Sequence, residues 1–268
     1  MGLQVTGIEI LAAVSRKTLL AWALFANIIL VPLIAFLLIR LFNLPEVVAA
    51  GILVVAAAPG APLIPKYAEI ARGGLPFSVG LMFMLAVLAI VTAPLTINIF
   101  LSASGNIEFD VLTVVKILLL FQLAPLLLGL GFKWWWPAQG KKLIRPSVLL
   151  ANIMLVLVIF LVLVRDFRSL MELPLSALAV MVVLTVIAIV VGWALGGPDA
   201  ATRRTLALGT SAQSNGLALL ITIANLPAAV LAVVAFGLLN ILINMSVAIF
   251  WNRTVLTSGS EQIVSNLP

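Results

Sequence analysis

This sequence predicts an all-α integral membrane protein with eight transmembrane helices, on three observations. Of its 268 residues, 64% are hydrophobic and only 9% charged, against about 45–50% and about 25% in a soluble domain. The apolar residues gather in runs close to the roughly 20 that a helix needs to cross a bilayer. None of the runs alternates with period two, the pattern of a membrane β-barrel strand. So few charges cannot solvate a globule, which excludes a soluble enzyme, a nucleic-acid reader and a disordered chain. The formal charge of +6 sits between apolar runs, where cations set loop orientation. Cysteine and histidine are both absent, so there are no disulfides, no thiol chemistry and no imidazole base or metal ligand.

Met1–Val14 is mildly amphipathic and too short to span, and no basic stretch precedes it as in a signal peptide. The eight runs then follow as Thr18–Ile39, Glu46–Ile64, Pro76–Leu101, Val111–Phe132, Val148–Val164, Pro174–Leu195, Thr205–Ile223 and Ala228–Trp251. Connectors carry Gly, Pro, Asn and charge, as in Asn43-Leu44-Pro45, Arg72-Gly73-Gly74, Ser104-Gly105-Asn106, Gly196-Gly197-Pro198-Asp199 and Asn225-Leu226-Pro227. The chain reads as one membrane domain, 1–268, with a start at 1–17, triplets at 18–101 and 174–251, a helix pair at 111–164 and a polar, frayed tail at 252–268. Eight spans put both ends on one side. That side collects Arg16, Lys17, Arg72, Lys133, Lys141, Lys142, Arg145, Arg203, Arg204 and Arg253, while the other holds Arg40, Arg165 and Arg168. The imbalance places both termini in the cytoplasm of a multi-pass cell-membrane protein. Trp134, Trp135 and Trp136 beside Lys133 read as an interfacial aromatic belt.

Two runs are interrupted. Ala58-Pro59-Gly60-Ala61-Pro62-Leu63-Ile64-Pro65-Lys66 places three prolines within seven residues, and each removes a backbone donor. In hydrocarbon the freed carbonyls cost several kcal/mol each unless protein or water satisfies them. Gly209-Thr210-Ser211-Ala212-Gln213-Ser214-Asn215-Gly216 interrupts the seventh run with hydrogen-bonding side chains and two glycines. Interhelical polar contacts would explain Ser and Thr there, but Gln213 and Asn215 cost more to bury. The breaks occupy the middle span of the first and last triplets, and two intervening helices reverse the second triplet. Paired interrupted spans in oppositely oriented halves point to the inverted repeat of a secondary transporter.

Further polar residues lie within or near the runs. Asn27, five residues before Pro32, either bonds a neighbouring helix or lines a cavity. Lys66 either snorkels to the interface or faces the breaks, with Glu69 in reach as a partner. Ser78 bonds its own backbone or serves a site. Lys116 snorkels, and Gln122, Asn240 and Asn244 read as interhelical bonds.

The order Arg16-Lys17, Asn27, Pro32, Leu44-Pro45-Glu46, Ala58-Pro59-Gly60, Ala71-Arg72-Gly73, Arg204-Thr205-Leu206 and Gln213-Ser214-Asn215-Gly216-Leu217 resembles the bile acid:sodium symporter family, in particular its bacterial members. The resemblance runs through nearly the whole chain. It implies two inverted repeats, a core with two crossed, broken helices and a separate panel of helices. Aligned by motif, the eight spans would be the family's helices three to ten, with its first two panel helices missing.

The resemblance also implies ion sites, and here the residues depart. Where the family holds sodium with Ser and Asn after the Pro-Gly break, this chain has Ile64 and Pro65. The paired hydroxyls of the next helix become Ser78 and Met82, and the shared acidic ligand becomes Gly209. Asn27, Ser78 and Gln213 remain as a residual sodium set. Sodium is a hard cation that favours oxygen ligands, a carboxylate among them. The expectation is therefore a transporter of a small organic anion by alternating access, weakly dependent on sodium or independent of it, with no other cofactor. Asn27, Pro59, Gly60, Lys66, Thr210, Ser211, Gln213, Ser214 and Asn215 are the candidate substrate-binding residues. A non-transporting scaffold or a truncated, inactive transporter is the alternative. A membrane enzyme is disfavoured, because the runs lack paired carboxylates as well as histidine and cysteine.

Overall fold

Proline and glycine divide the apolar chain into helices of unequal length. The computed structural model describes Val5 and residues 7–102, 109–171 and 173–265, and among them every regular element is helical. A short α1, Gly7–Ser15, leads into α2, Lys17–Phe25, which passes through a π turn, Ala26–Leu30, into α3, Val31–Leu41. Then come α4, Glu46–Ala56, α5, Ile64–Ile70, and the long α6, Leu75–Ser102. A second π turn, Leu119–Leu123, joins α7, Val111–Leu118, to α8, Ala124–Trp135. After α9, Pro137–Met171, and α10, Leu175–Leu195, the chain forms α11, Ala200–Ser211, α12, Asn215–Asn225, and α13, Val230–Ser265.

Among the described residues, six continuous helical stretches are long and apolar enough to cross a membrane: Lys17–Leu41, Leu75–Leu101, Val111–Trp135, Leu175–Leu195, Ala200–Asn225 and Pro227–Leu256. Two of the expected eight are not among them. The second is split by its prolines into α4 and α5, of 11 and 7 residues. The fifth, Val148–Val164, lies inside α9, part of whose side chains fall outside the described residues. At the far end α13 continues past Trp251 to Ser265, because no proline interrupts 252–265. The expected tail is thus helical over most of its length.

Both π turns have the same local cause. Each ends two residues before a proline, Pro32 and Pro125. A proline cannot donate to the preceding turn, and a wider turn accommodates the lost bond. Each π turn carries one buried amide side chain, Asn27 or Gln122.

Packing around the breaks is close. Residues Ala49–Ala56 of α4 are all buried, as are Thr205–Ser211 of α11. A methyl group on Gly192 of α10 would come within 2.5 Å of the Leu206 carbonyl oxygen, so α10 and α11 touch backbone to backbone. A methyl group on Gly51 of α4 would meet the Ala232 side chain of α13 at 2.9 Å and the Ala229 carbonyl oxygen at 3.0 Å. Such small-residue contacts allow dispersion to hold helices together where lipid removes the hydrophobic incentive. Polar ties fix the ends. The Asp199 carboxylate accepts from the Thr202 N–H at 2.9 Å and caps α11. The Gly74 N–H donates to Thr205 Oγ1 at 2.7 Å, tying the start of α6 to α11.

Candidate functional site

The two interruptions meet. The chain leaves helical geometry after Ala56 and resumes it at Ile64, then leaves it again after Ser211 and resumes at Asn215. Thr210 and Ser211, expected within the second break, are the last helical residues before it. The Ser214 N–H donates to the Ala58 carbonyl at 2.7 Å, so one break satisfies the other's backbone inside protein. α5 packs against α11 and α4 against α12. Proline explains the first break, and Gly60 permits its turn with φ +89. A methyl group on Gly60 would lie 2.8 Å from the Ala86 backbone nitrogen of α6. At the second break, Ala212 and Ser214 adopt non-helical backbone angles, and Ser214 is the cap residue just before α12.

Asn27, Thr210 and Gln213 form one buried group. Asn27 Nδ2 donates to the Ala23 carbonyl at 2.8 Å and reaches Thr210 Oγ1 at 3.5 Å. Gln213 Nε2 donates to the Thr210 carbonyl at 3.1 Å. In each amide the nitrogen is fixed by a backbone carbonyl, since an oxygen in its place would face another acceptor. The oxygens Asn27 Oδ1 and Gln213 Oε1 are therefore the outward-turned atoms, and both are buried without a hydrogen-bond partner, as is Asn215 Oδ1. Unpaired buried acceptors are costly, so this group offers oxygen ligands or acceptors to an occupant. The two amides Asn27 and Gln213 and the Thr210 hydroxyl supply them, with no carboxylate among the three.

The remaining expected residues are placed as follows. Ser211 Oγ pairs with Asn244 Oδ1, and the Ser211 carbonyl accepts from Asn240 Nδ2 at 2.8 Å. Asn244 Nδ2 donates to the Asn240 carbonyl at 2.8 Å. This ladder on α13 supports the last turn of α11, and it is the role read from Asn240 and Asn244 in the sequence. Pro59 is buried beside Gly60. Ser78 is buried, and its hydroxyl donates to the Leu75 carbonyl of its own helix at 2.7 Å, which is the plainer of its two roles. Lys66 stands apart from the buried amides. Its side chain is 59% exposed and pairs with Glu69 at 2.8 Å, because a charge three residues from its partner at a short helix's edge is better solvated than buried.

Sequence reasoning passed over one feature of this region. The two π turns present Asn27 and Gln122 by the same means, and the shared signal was an amide a few residues before a proline inside an apolar run.

The Sodium Bile acid symporter family profile matches residues 1–173. The chain belongs to that family. It is also 23% identical over 276 residues to the uncharacterized sodium-dependent transporter YocS of Bacillus subtilis strain 168, an alignment covering 100% of this chain and 84% of that protein. As a bile acid:sodium symporter homologue it is a membrane transporter-family protein, and its several apolar helices agree with this.

Within that family's frame, Gly209 is informative. A methyl group on Gly209 would meet Leu81 Cδ2 at 3.1 Å and Ile64 Cγ2 at 3.6 Å. Ile64, Leu81 and Met82 are all fully buried. The space where the resemblance puts a carboxylate is thus walled by methyl groups, which cannot ligate sodium.

Proposed function

We propose that this protein is a secondary transporter of a small organic anion, working by alternating access at the junction of its two broken helices, with weak or no dependence on sodium. The Ser214-to-Ala58 hydrogen bond carries the reading. It holds two non-helical segments together inside a helical bundle, where such backbone is tolerated only in protein or along a cavity. The two interrupted spans form an inverted repeat, and both termini are cytoplasmic, the side that gathers most of the loop cations.

Substrate contacts come from the first free N–H groups of α12 and from Thr210, Ser211, Gln213, Ser214 and Asn215 beside Asn27, Pro59 and Gly60. A methyl group on Gly216 would meet nothing within 4 Å, which leaves room for a ligand at the start of α12. The helix dipole favours an anion there. Sodium, where it binds, is held by Asn27 Oδ1, Gln213 Oε1 and neighbouring carbonyls. Those ligands are neutral, so the dehydration of the ion is offset only in part. The absence of an acidic ligand, at Gly209, argues for weak coupling.

The test is uptake into proteoliposomes of radiolabelled carboxylates and sulfonates, bile acids included, under a sodium gradient, a proton gradient and neither. Uptake of at least one anion, stimulated less than about threefold by sodium, is the expected result. Strong sodium stimulation would overturn the coupling assignment, and no uptake of any anion would overturn the function. Reporter fusions at Gly140 and at the C-terminus should both report cytoplasm.

A further inference from the structure

Arg40 and Glu46 carry opposite charges at the end of α3 and the start of α4. Each suits the helix end on which it sits, a cation near the last carbonyls and an acid near the first N–H groups. The turn between them is fixed by backbone bonds. The Leu44 N–H donates to the Ile39 carbonyl at 3.2 Å and the Asn43 N–H to the Arg40 carbonyl at 3.3 Å, with Asn43 in the left-handed region at φ 46. This is the helix stop usually made by glycine, made here by asparagine. Arg40 is held as well. Its guanidinium carbon lies 5.3 Å from the centre of the Phe36 ring, where a cation is attracted to the aromatic face. Phe36 in turn packs on Phe100 of α6, with ring centres 5.2 Å apart.

Ile39, Arg40, Asn43, Leu44, Glu46 and Ala49 line a cavity of about 160 Å³ between these two helix ends. Arg40, Asn43 and Glu46 are exposed, so the cavity is open to the surface, while Ile39, Leu44 and Ala49 are buried and apolar. Among the described residues Lys66 and Glu69 form the one ion pair. Arg40 and Glu46 therefore line one cavity beyond ion-pair distance of each other, and a molecule between them meets a positive and a negative wall. The stretch Lys17–Leu41 is long and apolar enough to cross a membrane, so its end at Leu41 puts the cavity at headgroup depth. Leu33, Leu37 and Leu41 form an exposed stripe on α3 that leads to it, a face that lipid tails cover in a bilayer.

We infer that this cavity binds the headgroup of a phosphatidylethanolamine, with its phosphate on Arg40, its primary ammonium on Glu46 and a tail along Leu33, Leu37 and Leu41. A zwitterion matches a cavity that is walled by both signs and has no internal pair. The guanidinium presents a fork of donors that fits phosphate oxygens. A carboxylate accepts hydrogen bonds from a primary ammonium, whereas the quaternary ammonium of phosphatidylcholine has no N–H to give. An anionic headgroup such as that of phosphatidylglycerol leaves Glu46 without a cation and meets its like charge. A soluble zwitterion lacks the tail that the leucine stripe holds. Bound there, the lipid braces the start of α4, the first half of the broken span, against the end of α3.

The probes are phosphatidylethanolamine, phosphatidylcholine and phosphatidylglycerol with identical lauroyl tails, and O-phosphoethanolamine as the headgroup without tails. The affinity of each for the purified full chain in detergent is measured by native mass spectrometry, with thermal melting alongside. The proteins compared are the unmutated chain, Glu46→Gln and Arg40→Gln. The unmutated chain should bind phosphatidylethanolamine about tenfold more tightly than either other lipid, equivalent to about 1.4 kcal/mol. Glu46→Gln should bring the ethanolamine and choline lipids within about twofold of each other. Arg40→Gln should weaken all three lipids by about fivefold or more and keep the preference for ethanolamine, because the phosphate is common to all. Arg40→Met, which keeps an apolar stem on Phe36, replaces it if that variant does not fold. Equal binding of the three lipids by the unmutated chain, or an unchanged preference in Glu46→Gln, overturns the inference. Unchanged affinities on loss of Arg40 overturn it too, since the phosphate would then lie elsewhere. Binding of O-phosphoethanolamine as tight as that of the lipid would overturn the lipid as occupant.

Discussion

Ser214 donates its backbone N–H to the carbonyl of Ala58 at 2.7 Å, across 156 residues of chain (214 less 58). Each partner lies in a segment that proline, glycine or non-helical backbone angles exclude from regular helix. Neither could satisfy its groups against lipid, where an unpaired peptide group costs several kcal/mol. The bond makes each break a requirement for the other.

Gly60→Ala should destabilise the fold by more than about 2 kcal/mol. At φ +89 an L-residue is strained by about 1–2 kcal/mol, and the new methyl would press on the Ala86 nitrogen at 2.8 Å. Thermal melting of the purified variant reads the loss, and uptake should fall with it. A variant that melts within a degree of the parent would show that the first break can relax away from α6.

Asn240→Leu should weaken the second break. It leaves the Ser211 carbonyl without the donor now at 2.8 Å and removes the contact from Asn240 to Thr185 Oγ1 at 3.4 Å. Stranding a buried acceptor costs about 1–3 kcal/mol. Asn240→Asp tests geometry against chemistry, since a carboxylate cannot donate to that carbonyl. Melting temperatures should fall for both, and recovery by aspartate would show that the amide donor is not what matters.

Gly209→Glu should fail alone and succeed with space made for it. The added side chain would meet Leu81 and Ile64 at 3.1 and 3.6 Å from its first carbon, burying a carboxylate among methyl groups. Gly209→Glu combined with Ile64→Ser provides an oxygen partner and removes bulk. Sodium stimulation of uptake should rise at least fivefold in the double variant over the parent. If the single variant folds and gains the same stimulation, the apolar wall is not the obstacle.

Acidification should loosen the start of α11. The N–H of Thr202, donating to the Asp199 carboxylate, holds its pKa below the usual carboxylate value. A group whose pKa is lowered on folding stabilises the fold above its ordinary pKa, and the contribution is lost as pH falls through the lowered value. Asp199→Asn should therefore melt lower than the parent at neutral pH and converge with it below the carboxylate range. Parallel melting curves across the acid range would dismiss the cap.

Lys66 shows what an exposed position implies. Its pair with Glu69 has both side chains more than half exposed, and such pairs contribute about 0–1 kcal/mol. Lys66→Ala should leave both melting and anion uptake close to the parent's.

Much of this protein follows from residue order alone. A run such as Leu175–Leu195 must be helical in lipid, because only intrahelical bonds satisfy its backbone there. Pro59 and Pro62 fall in the break and Pro65 in the first turn of α5, places that a residue without an N–H can take, and with Gly60 they marked the first break without reference to any neighbour. The amide cluster was legible only as a set of candidates. Asn27 and Gln213 lie 186 residues apart (213 less 27), and no local rule says that both converge on Thr210. Nor could periodicity show that Lys66 points outward to Glu69, or that Ile64 and Leu81 close the space around Gly209. Those relationships depend on how α5, α6 and α11 pack, which is decided by side-chain volume and by small residues that admit close approach.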